Sequence, residues 1–176
     1  MDQEHHDEWY GLMLRAMEIL AKGSNVEGIG ISRLLQVIEK PSFAPASSWE
    51  IFEQHPRSAP TTHFCIRLRW RNDLDLEKFR NPVERLKHVR TLNPTIETHR
   101  MELNASFVSE TCLMLSQIAV PAYAAEKTVG LDGTSYELAF GNSFSGARFY
   151  WWGNPSGHMK ALAEATLRIT EELEAL

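Results

Sequence analysis

The chain contains few of the residues and segments that most directly identify a protein's chemistry. It has two cysteines, Cys65 and Cys112, which lie far apart and lack the spacing of metal ligands. Two reduced thiols are the ordinary interpretation in a cytosolic protein, although the count also permits one disulfide. No GxSxG, GxGxxG, HExxH or Walker-type segment is present. The sequence therefore predicts no metal site, no cofactor and no catalytic residue that a motif could identify.

Long hydrophobic runs are also missing, which limits where the protein is expected to act. No apolar stretch approaches the ~20 residues that a membrane-spanning helix needs. The first residues are polar and acidic, whereas a secretory leader begins with positive charge followed by an apolar core. We therefore expect a cytoplasmic protein with no membrane association.

The bulk composition is that of an ordinary soluble domain. The 176 residues are 43% hydrophobic and 23% charged, and a chain of this length builds one domain with an adequate core. The net charge of −5 argues against nucleic acid as a partner, because nucleic-acid-binding domains usually carry a basic surface. Residues 62–90 are the exception, with eight Arg and Lys against four Asp and Glu.

Apolar and polar residues alternate in several segments, which predicts strands with one buried face each. The clearest alternation places Phe64, Ile66, Leu68 and Trp70 on one face. The predicted strands lie near 63–71, 95–103, 128–140 and 147–152, and the last two would form a hairpin. The sequence therefore predicts an α+β fold built on a mostly antiparallel sheet.

Apolar residues at helical spacing predict helices at both termini and between the strands. The N-terminal portion, 1–40, is predicted to be helical, and 41–62 is predicted to be a proline-rich loop with at most a short helix around Trp49. Within 75–90, Asn81 followed by Pro82 predicts the start of a new helix. The predicted helices cover 8–21, 31–39, 75–90 in two pieces, 105–119, and the segment after Ser156. For 105–119 a strand is the alternative, and a helix is favoured because its apolar residues recur at helical intervals. We expect all of these elements to form a single domain.

A row of arginines is the sharpest polar feature. Arg67, Arg69 and Arg71 occupy alternate positions of a predicted strand and so share one face, about 7 Å apart per step. Such a row is suited to an acidic protein surface or a small anion. The alternative is that acidic side chains of neighbouring strands or helices pair with all three.

The aromatic segment near the C-terminus allows two interpretations. Trp151 and Trp152 are adjacent in a predicted strand, so their rings point to opposite faces. An exposed Trp152 beside Tyr150 and Arg148 would suit a protein interface, because these three residue types dominate binding hot spots. The alternative is that helices on both faces of the sheet cover both rings.

The segments Asp132-Gly133-Thr134-Ser135-Tyr136-Glu137-Leu138 and Trp151-Trp152-Gly153, followed by a leucine-bearing helix, resemble an element of small bacterial proteins. Many of these resemble immunity proteins encoded beside polymorphic toxins. The resemblance covers residues 130–176. It implies a protein partner, a toxin, that is neutralised by stoichiometric binding.

The leading hypothesis is accordingly an immunity-like inhibitor, and it leaves the oligomeric state open. Its predicted partner-binding residues are Arg67, Arg69, Arg71, Tyr150 and Trp152. A second hypothesis is a small enzyme that uses a pocket with His63 or His99 and Glu97, Glu102 or Cys112. A third is a regulatory or scaffold subunit of a bacterial complex that contacts nucleic acid through the arginine row.

Overall fold

The computed structural model describes residues 3–26, 28–42, 44–88, 93–120, 133–141 and 146–176. The described helices are α1 (Gln3–Lys22), α2 (Asn72–Arg80), α3 (Pro82–His88), α4 (Ala105–Ser116) and α5 (Lys160–Glu174). The described strands are β1 (Ile31–Pro41), β2 (Ser47–Gln54), β3 (Thr62–Trp70), β4 (Ile96–Leu103), β5 (Thr134–Gly141) and β6 (Gly146–Trp152). They form one antiparallel sheet in the order β4-β3-β2-β1-β5-β6, which confirms the predicted α+β class.

Helices pack on both faces of this sheet. On one face, called the α5 face, Leu162 and Ile169 of α5 and Leu115 of α4 pack against the sheet. On the other, called the α1 face, Ala16 and Leu20 of α1 pack against the sheet. The sheet is therefore the middle layer of three, and its central strands are buried on both sides.

Several predicted elements form as expected. β3, β4 and β6 match the predicted strands near 63–71, 95–103 and 147–152, and β5 matches the described part of 128–140. Residues 128–132 and the hairpin loop 142–145 lie outside the described residues. Asn81 Oδ1 accepts the backbone N–H groups of Val83 and Glu84, which is the predicted start of α3.

The terminal helices are amphipathic, as their sequences predict. α1 buries Leu12, Ala16 and Leu20 on one side, and α5 buries a longer stripe that includes Leu162, Ile169 and Leu173. Among the described residues, no helix is both long enough and apolar enough to cross a lipid bilayer.

The helix predicted over 31–39, within a helical portion 1–40, is wrong, because this segment is strand β1. A break in the pairing register between Arg33 and Leu35 shifts the side-chain alternation by one residue. That shift places the apolar residues at spacings of three and four, which imitate a helix. Leu35, Gln36, Val37 and Ile38 are then buried consecutively, because β1 is a central strand covered on both faces.

The loop predicted over 41–62, with a short helix around Trp49, is also wrong. Residues Ser47–Gln54 form β2, whose first six residues are all buried. The prolines lie outside this strand: Pro41 ends β1, Pro45 precedes β2, and Pro56 and Pro60 lie in the turn to β3. They mark the ends of two strands rather than a continuous loop, because proline lacks the backbone N–H group that a residue inside a sheet donates to a neighbouring strand.

Candidate functional site

The five predicted contact residues lie on opposite faces of the sheet. Arg67 lies opposite Trp49 on the neighbouring strand. Residues that lie opposite one another continue this line through β1 and β5 to Phe149 of β6. Arg67 and Phe149 therefore lie on the α5 face. Adjacent residues of a strand point to opposite faces, so Tyr150 and Trp152, which are one and three residues after Phe149, lie on the α1 face. β3 and β6 are also separated by three strands, so one flat interface cannot hold both groups.

Two of the three arginines of the row, Arg67 and Arg71, are paired with acidic side chains of the chain itself. Arg67 Nη2 lies 2.6 Å from Glu174 Oε1, and its guanidinium lies 5.6 Å from the centre of the Trp49 ring. Arg71 Nη2 lies 2.7 Å from Asp73 Oδ2 and its Nη1 lies 3.7 Å from Glu97. For Arg67 and Arg71, these contacts favour the alternative in which neighbouring carboxylates neutralise the row.

Arg67 and Arg69 line a cleft of about 700 Å³ between the sheet and the C-terminal half of α5. Three carboxylates, Glu39, Glu171 and Glu174, line the same cleft. Burial is the main cause that raises the pKa of Glu39, with Glu174 adding to the effect. The carboxylates outnumber the arginines, so the cleft is poorly suited to a phosphate group.

The aromatic segment divides between the core and the surface. Trp151 is buried on the α5 face, where its ring stacks on Tyr136 with centroids 5.6 Å apart. Tyr150 is 61% exposed and Trp152 is half-buried, both on the α1 face of the edge strand β6. Arg148, Tyr150 and Trp152 are called here the β6 surface. The sequence left open which tryptophan is buried, and the structure places Trp151 in the core.

The β6 surface lies beyond the area that α1 covers. Among the described residues, the apolar cluster under α1 takes its strand members from β1 to β4 and none from β5 or β6. Gly133 lies against the ring of Trp152, since a Cβ on this glycine would approach Trp152 Nε1 to 2.9 Å. The two separated motif segments that carry the resemblance are therefore in contact at this surface.

Sequence reasoning missed two buried glutamates on the α1 face, one on the strand next to β6 and one two strands further along the sheet. Glu50 of β2 is fully buried, and its carboxylate accepts the backbone N–H and the hydroxyl of Ser24 and Arg33 Nη1. Glu137 of β5 is 4% exposed and lies 3.3 Å from Arg148 Nε. The sequence contained a signal for both residues, because each glutamate interrupts an otherwise apolar strand segment, where a carboxylate is unfavourable unless it is paired.

The residues of the enzyme hypothesis do not meet in the described structure. His63, His99 and Glu97 lie on the α5 face, while Glu102 pairs with Phe64 on the α1 face. Cys112 of α4 lines a mostly apolar pocket of about 320 Å³ that also contains Glu53. Neither His63 nor His99 lines that pocket, so its cysteine has no histidine base there.

The two thiols should differ in reactivity, and neither should be activated. Burial raises the pKa of the Cys65 thiol to about 12, and burial together with Glu53 raises the pKa of the exposed Cys112. A raised pKa leaves less thiolate at neutral pH, and thiolate is the reactive form. We expect iodoacetamide to alkylate Cys112 of the folded protein more slowly than a free thiol, and Cys65 only after unfolding.

Peptide mass mapping over a pH series measures the alkylation rate of each cysteine. Cys112→Ser is the control, because the alkylation that disappears in this variant belongs to Cys112. Alkylation of Cys112 should accelerate as pH rises through the ordinary thiol range and beyond it. Faster alkylation than a free thiol at neutral pH would contradict the prediction and favour the enzyme hypothesis.

Within the described residues, no group of three or more His, Cys, Asp or Glu side chains is arranged to hold a metal ion. A scan against protein-family models finds no match, and searches of curated proteins and of solved structures find none either. Function is therefore argued from the β6 surface and the charges beside it.

Proposed function

We propose that this protein is an immunity-like inhibitor that neutralises a cognate bacterial toxin by stoichiometric binding through the β6 surface. The observation that carries the proposal is Tyr150, which is 61% exposed beside Arg148 on an edge strand. Tyrosine, tryptophan and arginine are the residue types most enriched among interface hot spots. Three of them in alternate positions of one strand form a compact binding surface.

Two contacts precede any docking at the β6 surface. Arg148 Nε lies 3.3 Å from Glu137 Oε1, and Arg148 Nη1 lies 3.5 Å from the Tyr150 hydroxyl. Contacts of this kind reduce the conformational entropy that side chains lose when a partner docks. β6 is also the last strand of the sheet among the described residues, and the outer backbone edge of such a strand can pair with a partner strand.

Tyr150 and Trp152 remain proposed partner contacts, whereas the arginine row lies outside the proposed interface. Arg67 is already paired with Glu174 on the opposite face, so we expect the row to contribute little to the same interface. The row's pairing also argues against the nucleic-acid role, which predicts an affinity that falls steeply with salt. Nucleic-acid affinity that is absent or flat with salt would exclude that role.

The direct test is an affinity pull-down of the tagged protein from its native cells, read by mass spectrometry. We expect one stoichiometric partner, and we expect Tyr150→Ala to weaken its binding about 30-fold, which corresponds to a hot-spot loss of about 2 kcal/mol. Tyr10→Ala is the matched control, because Tyr10 is 50% exposed on α1, away from β6. Equal retention of the partner by both variants would overturn the site, and capture of no partner would overturn the function.

A small enzyme is the second candidate, and the Cys112 pocket is the observation that favours it. The pocket is apolar and about 320 Å³ in volume, which suits a small ligand. The alkylation series described above decides between an activated and an ordinary thiol.

A further inference from the structure

Two buried glutamates lie under the α1 face of the sheet, each against an arginine. Arg33 Nη1 donates to Glu50 Oε1 at 2.6 Å, and Arg148 Nε lies 3.3 Å from Glu137 Oε1. Lys40 Nζ lies 3.7 Å from the second oxygen of Glu137. Burying a carboxylate in a sheet is unfavourable unless it is paired, and apolar residues at such positions are often equally stable. Each glutamate therefore places a carboxylate oxygen against one nitrogen of its arginine.

The arginines keep donors that the glutamates do not use. A guanidinium carries five N–H donors. Glu50 takes one nitrogen of Arg33, and Glu137 contacts one nitrogen of Arg148. The side chains of Arg33 and Arg148 are 36% and 48% exposed, so part of each guanidinium is open to solvent. Each arginine is thus held at one end by a buried carboxylate and open at the other.

A hollow of about 250 Å³ lies between the two arginines. Arg33 is on β1 and Arg148 is on β6, with β5 between them, so the two strands are about 10 Å apart. Small residues, Ala139, Gly141 and Gly146, line the hollow between them. Leu34, Leu35 and Phe140 also belong to the described lining, so the two guanidinium groups border a hollow that is otherwise formed by uncharged residues.

The two arginines that line this hollow, together with the charged side chains paired with them, favour an anion with a single negative charge. Arg33, Lys40 and Arg148 are partly exposed cations, whereas Glu50 and Glu137 are buried. The local excess is one positive charge, which one carboxylate balances. A phosphate group carries a charge of about −1.5 to −2 and would leave a negative excess. Planar carboxylates also match the fork of donors that a guanidinium presents.

We propose that Arg33 and Arg148 form a two-arginine site that binds an acidic side chain of the protein partner. The identity of the occupant as a protein rests on the proposed function, because the site adjoins Tyr150 on the β6 surface. The partner surface that meets β6 is then acidic at this point, although the chain as a whole carries a net charge of −5. Opposite local charges fix the register of docking and raise the association rate.

The test uses arginine-selective ¹⁵N labelling of the full chain, with each Nε–H signal followed during titration with a capped triglutamate peptide. We expect the Arg33 and Arg148 signals to shift together with one dissociation constant. Arg168 is the control, since it is exposed, pairs with Glu172 on α5 and does not line the hollow. Equal shifts at Arg168 would show general charge attraction and overturn the site.

Variants separate binding from folding. Arg148→Gln leaves Lys40 beside Glu137, so the chain should stay folded while peptide affinity falls at least tenfold. Arg33→Lys keeps the charge next to Glu50 and removes the guanidinium fork, and it too should weaken the peptide at least tenfold. Unchanged affinity in both folded variants would overturn the proposal.

Two further titrations identify the source of the carboxylate. Inorganic phosphate that binds ten times more tightly than the peptide would overturn the carboxylate assignment. Free glutarate that binds ten times more tightly than the peptide would overturn the assignment to a protein partner. Peptide binding without any partner in the pull-down would sustain the site and overturn the toxin-binding function. Full partner affinity in Arg148→Gln would sustain the toxin-binding function and overturn the two-arginine site.

Discussion

Replacing Asp75 with alanine is expected to lower the free energy of unfolding by about 3 to 5 kcal/mol, the usual loss when one partner of a buried charged network is removed. Asp75 is 2% exposed. Its carboxylate accepts Trp70 Nε1 at 2.8 Å, the backbone N–H of Thr95 at 2.9 Å and the Thr95 hydroxyl, and it pairs with Lys78. One side chain thus joins the end of β3, helix α2 and the start of β4.

Urea denaturation measures the loss, and Asp73→Ala is its matched control. Asp73 lies two residues earlier on the same helix but is exposed, and Arg71 lowers its pKa to about 2. Surface ion pairs of this kind stabilise proteins little, so Asp73→Ala should leave the midpoint nearly unchanged. A midpoint for Asp75→Ala close to that of Asp73→Ala would contradict the prediction.

The amphipathic outer elements were the part of the fold that the sequence could predict. α1, α4 and α5 each bury one side, and β3 alternates because its other face carries the arginines. β1 and β2 were mistaken for a helix and a loop, since both faces of each are covered and their residues do not alternate. Burial on both sides removes the period-2 signal that single-sequence reasoning depends on.

The candidate site was predictable in its aromatic half and not in its charged half. Tyr150 and Trp152 were named because Tyr, Trp and Arg dominate binding hot spots and because adjacent residues of a strand point to opposite faces, although the sequence left open whether Trp152 is exposed. Arg33 was missed, because its role depends on Glu50, which is 17 residues away and lies on a strand that was not predicted. A pair formed across two central strands is set by register, and register is a property of the sheet as a whole.

Glu50→Ala is expected to destabilise the protein by about 3 to 5 kcal/mol, because it leaves Arg33 and Ser24 without their shared acceptor. Space around Glu50 is tight, since its Oε1 would lie 2.1 Å from a Cβ on Gly23. Urea denaturation of the single variant measures the loss. Gln54→Ala, at the half-buried end of the same strand, is the control and should change the midpoint much less.

The double variant Arg33→Met with Glu50→Leu separates stability from binding. Leu replaces the buried carboxylate and Met replaces the partly exposed guanidinium, so the part of the Glu50→Ala loss that comes from an unpaired Arg33 should return, while the part that comes from Ser24 remains. The same double variant should lose the triglutamate response at Arg148, since one of the two guanidinium groups is gone. Recovered stability together with full peptide binding would show that the buried pair supports only the fold. Loss of binding in a stably folded double variant would instead show that the Arg33 guanidinium takes part in the site, apart from its contribution to folding.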